Sequence, residues 1–162
     1  MNQARWLAAT SAALSLGSVV AASVIQGAWG LSPCTMCILQ RYAFLALGAF
    51  SLMATCIPEK VGLLARACMS LLALVGLAAS MKIQWALWTP SESCGRDALA
   101  NLLNDLPTAQ QWPAVFEATG LCGDKVPPVL GVPFHVWSLM LFAGLLVMAW
   151  LPVVCARKEQ GE

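Results

Sequence analysis

Apolar positions along this chain gather into four long runs, residues 6–25, 37–57, 67–88 and 134–154. Each is long enough to cross a bilayer, which takes roughly 20 residues of helix. Helix is the expected form, because lipid satisfies no open backbone group. Arg5 followed by the first run resembles a signal peptide. That run is longer than the usual leader core, however, and three more spans follow, so a retained span is expected. The connections are unequal: residues 26–33 and 58–66 are tight links, whereas 89–133 is long, polar and rich in proline and glycine. A loop of that length without a domain of its own is functional or mobile. Within it, "DALANLLNDL" sets Ala98, Leu99, Leu102, Leu103 and Leu106 at helical spacing. This predicts a short amphipathic helix, lying on the membrane surface or packed on its own loop. Trp112 and Phe116 are candidate anchors for the stretch that follows.

The pattern predicts an all-α integral membrane protein, a four-transmembrane-helix bundle forming one membrane domain over residues 1–162. Composition agrees. Of 162 residues, 59% are hydrophobic and 10% charged, with a mean hydropathy of +0.73; soluble domains average about 45–50% and about 25%. A net charge of +1 gives no argument for nucleic acid. Charge placement adds an orientation. Arg5, Lys60, Arg66, Arg157 and Lys158 fall on the side that holds both termini. The other side carries Arg41, Lys82, Arg96 and Lys125, with five acids in the long loop. The positive-inside rule then places both termini in the cytoplasm and the loop outside.

That topology sorts the seven cysteines. Cys34 and Cys37 open the second span on the outer side, Cys94 and Cys122 sit in the outer loop, and Cys56, Cys68 and Cys155 lie at inner helix ends. Cys34 and Cys56 are separated by about 33 Å of helix at 1.5 Å per residue, roughly the hydrocarbon thickness. Disulfides persist in the periplasm and are rare in the cytosol. The outer four can therefore pair, while the inner three are expected to stay reduced as small buried hydrophobes. Zinc is disfavoured because only one of the outer pairs is close-spaced, and the chain's single histidine, His135, is at a helix start. No metal is expected.

In "SPCTMCILQRY", Ser32-Pro33 reads as an N-cap followed by proline at the first helical position. Cys34 and Cys37 then occupy the first turn, where free amides and the helix dipole favour a thiolate. Arg41, four residues after Cys37, shares its face. A cation inside a span is costly, so either it snorkels to the headgroups or it faces an electron acceptor within the bilayer. Two readings stay open on these residues: a redox relay, and a scaffold with two structural disulfides.

The joint pattern resembles the disulfide bond formation protein B (DsbB) family over nearly the whole chain. "PCTMCILQRY" is similar to its proline, Cys-X-X-Cys and arginine. "CGRDALANLLNDLP" and "VFEATGLCGD" resemble the segments around its two loop cysteines, and "LGVPFHVWSL" the start of its last span. The resemblance implies a membrane thiol oxidase of the bacterial inner membrane. It also implies a periplasmic thioredoxin-fold oxidant (DsbA-like) as protein partner, and a membrane quinone, ubiquinone or menaquinone, as cofactor. On the same ground Cys34, Cys37, Cys94 and Cys122 are catalytic, paired as Cys34–Cys37 and Cys94–Cys122, and Cys37 and Arg41 bind quinone. One stretch departs from the family. Its members often carry arginine or histidine near the outer end of the third span, where "ASMKIQWALW" offers only Lys82. Vitamin K epoxide reductase-like proteins also join two cysteine pairs, but place their Cys-X-X-Cys late in the chain.

Overall fold

The computed structural model describes residues 3–55, 59–89, 98–124 and 126–159. Among the described residues seven helices follow one another: α1 Gln3–Trp29, α2 Thr35–Ala54, α3 Glu59–Trp88, α4 Ala98–Asn104, α5 Pro107–Gln111, α6 Pro113–Phe116 and α7 Phe134–Glu159. Four contain stretches long and apolar enough to cross a membrane: Arg5–Trp29, Thr35–Ala54, Leu64–Trp88 and Phe134–Leu151. These are the four expected spans, with shifted ends. Helix α1 runs past residue 25 because its stop signal lies further on. Gly30 takes φ +60°, and the Leu31 N–H donates back to Gln26 O at 3.0 Å, closing a Schellman turn.

The spanning helices form a ring, in which α1 and α3 each contact both α2 and α7. At its centre the rings of Phe44 and Phe142 stack with centroids 4.0 Å apart and planes 13° from parallel. Phe142 is fully buried and lies directly against Gly76, where a methyl group would sit 2.2 Å from its ring. Val19, Leu47, Ala73 and Leu145 close the cluster. Large apolar residues such as Val20, Leu71, Trp85 and Val147 point outward. In water such a surface would drive association; in lipid it matches the solvent. Four hydroxyls along the spans are absorbed by their own helices. Ser18, Ser23, Ser70 and Ser80 each donate to the carbonyl four residues back.

The long loop is packed onto the bundle. Leu103 of α4 is buried with Ile38 of α2 and Ala118, with Leu99 and Leu106 against the same cluster, while Leu102 stays exposed. The amphipathic segment therefore docks on the outer end of α2. Phe116 stacks on Tyr42 at 5.2 Å, and Trp112 is exposed. Three side-chain contacts fasten this layer. The Asn104 amide pairs with both backbone groups of Ala118, Gln26 donates to Ala114 O, and the Tyr42 and Thr108 hydroxyls share a hydrogen bond.

Candidate functional site

Helix α2 begins one residue after Cys34, and the Cys34 sulfur is its cap: Sγ accepts from the Cys37 N–H at 3.3 Å. This corrects the expectation that Ser32 caps the helix and Pro33 opens it. The reason is a long-range competitor. Cys34 is extended (φ −80°, ψ 164°) and forms a short parallel bridge with Gly120. Beside it the Pro33 carbonyl accepts from the N–H groups of both Thr119 (3.1 Å) and Gly120 (3.0 Å). A methyl group at Gly120 would lie 2.2 Å from Ser32 O, so only glycine lets the loop come this close.

Two residues beyond that crossing stands Cys122. It is almost fully buried and belongs to one apolar cluster with Cys34, Met36, Ala79, Ile83 and Ala86. Cys122 is disulfide-bonded; Cys94 lies outside the described residues. Cys34 and Cys37 are free thiols with sulfurs 2.6 Å apart. About half an ångström of movement would bring them to the roughly 2.05 Å of a disulfide bond. Of the inner cysteines, Cys68 is free and half-buried, and Cys56 lies outside the described residues.

Among the described residues, two cavities flank this pair. The larger, about 580 Å³, is bordered by Cys34, Cys37 and Cys122, with Gln84, Asp124 and His135. The smaller, about 360 Å³, opens between α1, α2 and α7. Its walls are mostly aliphatic and aromatic, with Cys37, Gln40, Arg41, Ser18 and Ser138 as polar elements. Cys37 borders both spaces, whereas Cys34 and Cys122 border only the larger. Of the three residues expected on one helix face, Cys37 and Arg41 thus share a cavity, and Cys34 turns toward the loop. Arg41 is only 6% exposed. Its guanidinium donates to Val115 O and to Gln26 Oε1, so the cation is held between α1 and the loop instead of snorkelling outward.

A family-level profile described as disulfide bond formation protein DsbB matches residues 4–152. The chain belongs to the DsbB family. Its relatives include a disulfide bond formation protein B from Ralstonia nicotianae, 38% identical over 149 residues and 92% of each chain. Another, from Cupriavidus necator, is 40% identical over 85% of this chain and 86% of its own. A disulfide bond formation protein B 1 from Pseudomonas putida is 32% identical over 98% and 95%. As a DsbB-family member the chain is a multi-pass membrane protein of disulfide bond formation.

In this DsbB-family chain the sequence motifs located the cysteines and Arg41 but missed the amides around them. Gln40 donates to Ser80 Oγ at 2.9 Å across α2 and α3, and Gln26 holds both Arg41 and the loop. An uncharged amide inside an apolar span was the available signal, since hydrocarbon offers it no partner. Lys82 is exposed and borders neither cavity. The outer end of α3 instead contributes Gln84, whose Oε1 meets His135 Nε2 of α7.

Proposed function

We propose that the protein is a quinone-linked thiol oxidase of the bacterial inner membrane, with both termini cytoplasmic and the 89–133 loop in the periplasm. It takes electrons from a periplasmic thioredoxin-fold disulfide donor of the DsbA kind. The carrying observation is the position of Cys37, which borders the thiol-lined cavity on one side and the apolar cavity lined by Arg41 on the other.

The smaller cavity fits a quinone head. It has the size of a small-molecule site, apolar walls for a flat ring, and convergent polar groups for carbonyl oxygens. Arg41 and Ser138 would hold those oxygens, and the Arg41 charge would stabilise negative charge arising there. A quinone bound in it supplies a two-electron oxidant, taking up two protons as well. The remaining steps belong to the chain. The reduced partner attacks a Cys94–Cys122 disulfide and leaves oxidised, with two thiols on the loop. Cys122, buried beside Cys34, attacks the Cys34–Cys37 disulfide; Cys37 departs as thiolate. Cys94 then displaces Cys34 from Cys122, restoring the loop disulfide and leaving Cys34 and Cys37 reduced. Pro33 and Gly120 keep the two reacting cysteines side by side throughout.

The test is quinone reduction by the purified protein in detergent, with a reduced thioredoxin-like protein as electron source. Turnover that disappears in both Cys37→Ser and Cys94→Ser supports the two-pair relay. No reduction of ubiquinone or menaquinone analogues, with cysteine pairs that stay oxidised under the partner, would leave a scaffold with structural disulfides.

A further inference from the structure

Thiol–disulfide exchange needs a proton removed from the attacking thiol and one delivered to the departing sulfur, and the relay above names no group that does either. The larger cavity contains a candidate. His135, the chain's single histidine, stands at the first turn of α7, is only 8% exposed, and borders the space that also meets Cys34, Cys37 and Cys122. Its Nε2 lies at 2.5 Å from Gln84 Oε1. An amide oxygen only accepts, so this contact sets the proton on Nε2 and leaves the lone pair on Nδ1. Among the described residues Nδ1 has no hydrogen-bond partner.

Among the described residues, few other titratable groups face this space. From the start of α2 come the two cysteine thiols, and from the loop come Cys122 and the Asp124 carboxylate. Asp124 Oδ2 accepts the Leu121 N–H, which turns it to its own backbone. The end of α3 supplies Gln84 and apolar residues to the wall. Arg41 and Lys82 do not border it. Imidazole is the one side chain here whose ordinary titration range suits both taking and giving a proton near neutral pH. At about 580 Å³ the space also has room for water to link ring and thiols.

We propose that His135 carries the proton during exchange between Cys122 and the Cys34–Cys37 pair, and that Gln84 is the positioning residue that fixes its ring. The inference rests on the oxidase reading for its context. In the step, the Cys122 S–H proton passes to His135 Nδ1 and the Cys122–Cys34 bond forms. The Cys34–Cys37 bond breaks, and the Cys37 thiolate takes the proton back. Cys122 is oxidised, Cys37 is reduced to a thiol, Cys34 exchanges one disulfide partner for another, and His135 ends unchanged.

The test separates this step from quinone chemistry. The full-length protein in detergent is reduced, and the reaction of its cavity thiols with dithiodipyridine is followed from pH 6 to 9, with no quinone present. His135→Gln should react about 100-fold more slowly than wild type at pH 6.5, the low end of general acid–base contributions. The difference should vanish toward pH 9, where thiols ionise unaided. Gln84→Leu should show the same pH-dependent defect in milder form, and Gln84→Glu, which keeps an acceptor for Nε2–H, should restore the rate. Thermal unfolding in detergent identifies any variant lost to misfolding, and the Gln84 pair then carries the test. Rates for His135→Gln equal to wild type at every pH, or a uniform loss with no pH dependence, would overturn the proposal. Failure of quinone reduction by the wild type would instead count against the oxidase reading and leave this measurement standing.

Discussion

Two regions of the bundle are built on opposite principles. Its centre closes around the Phe44–Phe142 stack, with Gly76 recessed to admit the ring. Around the outer end of α2 gather a buried arginine, two amides, the α7 histidine and two cavities. Buried polar groups in an apolar solvent cost free energy unless each finds a partner. Here the partners come from different elements: Arg41 from α1 and the loop, Gln40 from α3, Gln84 from α7. The contrast teaches where this protein places its stability: tight apolar packing at the centre of the bundle allows an open, polar site at its outer end.

Substitutions can break that contrast, and they rank by their effect on turnover. Cys37→Ser should abolish quinone reduction, measured as loss of quinone absorbance; unchanged turnover would move the electron exit elsewhere. Arg41→Ala removes donors that charge strengthens, each worth about 1.5–3 kcal/mol, so the apparent KM for quinone should rise roughly tenfold or more. A change confined to the protein partner's KM would show that Arg41 serves only the loop. Gly120→Ala forces the loop away from Ser32 O and should slow disulfide exchange by roughly tenfold, since small misplacements of reacting groups are expensive. Trapping of the mixed disulfide between Cys34 and Cys122 measures it, and wild-type trapping rates would deny the clamp its role. Phe142→Ala should have the least effect on turnover per folded molecule while lowering stability by about 3–5 kcal/mol. Thermal unfolding in detergent reads the second quantity, and a turnover loss larger than the folded fraction explains would couple the two regions.

The four spans were legible because lipid imposes one solution, a long apolar helix, and leaves a run that composition alone reveals. Cys34, Cys37 and Arg41 were legible because their spacing is local. Arg41 and Cys37 do share a cavity, as helical periodicity requires. The cap of α2 was misread for the opposite reason. Ser32-Pro33 is a sound local signal, but Pro33 O is taken by Thr119 and Gly120, more than eighty residues along the chain. Gln84 and His135 carried no local signal at all, since what makes them a pair is the crossing of α3 with α7. The amphipathic segment was read correctly as a helix, yet its docking on Ile38 of α2 belongs to tertiary structure alone.

The placement of Cys37 has a consequence for wiring. Among the described residues it is the one cysteine that faces both chambers; Cys34 and Cys122 face only the thiol side. In the proposed oxidase, Cys122 therefore has no contact surface with an oxidant in the apolar chamber, and a reduced product there has none with Cys122. A single residue acts as the junction between two circuits. It insulates each from short-circuiting through the other and makes current flow only when that one residue changes partner.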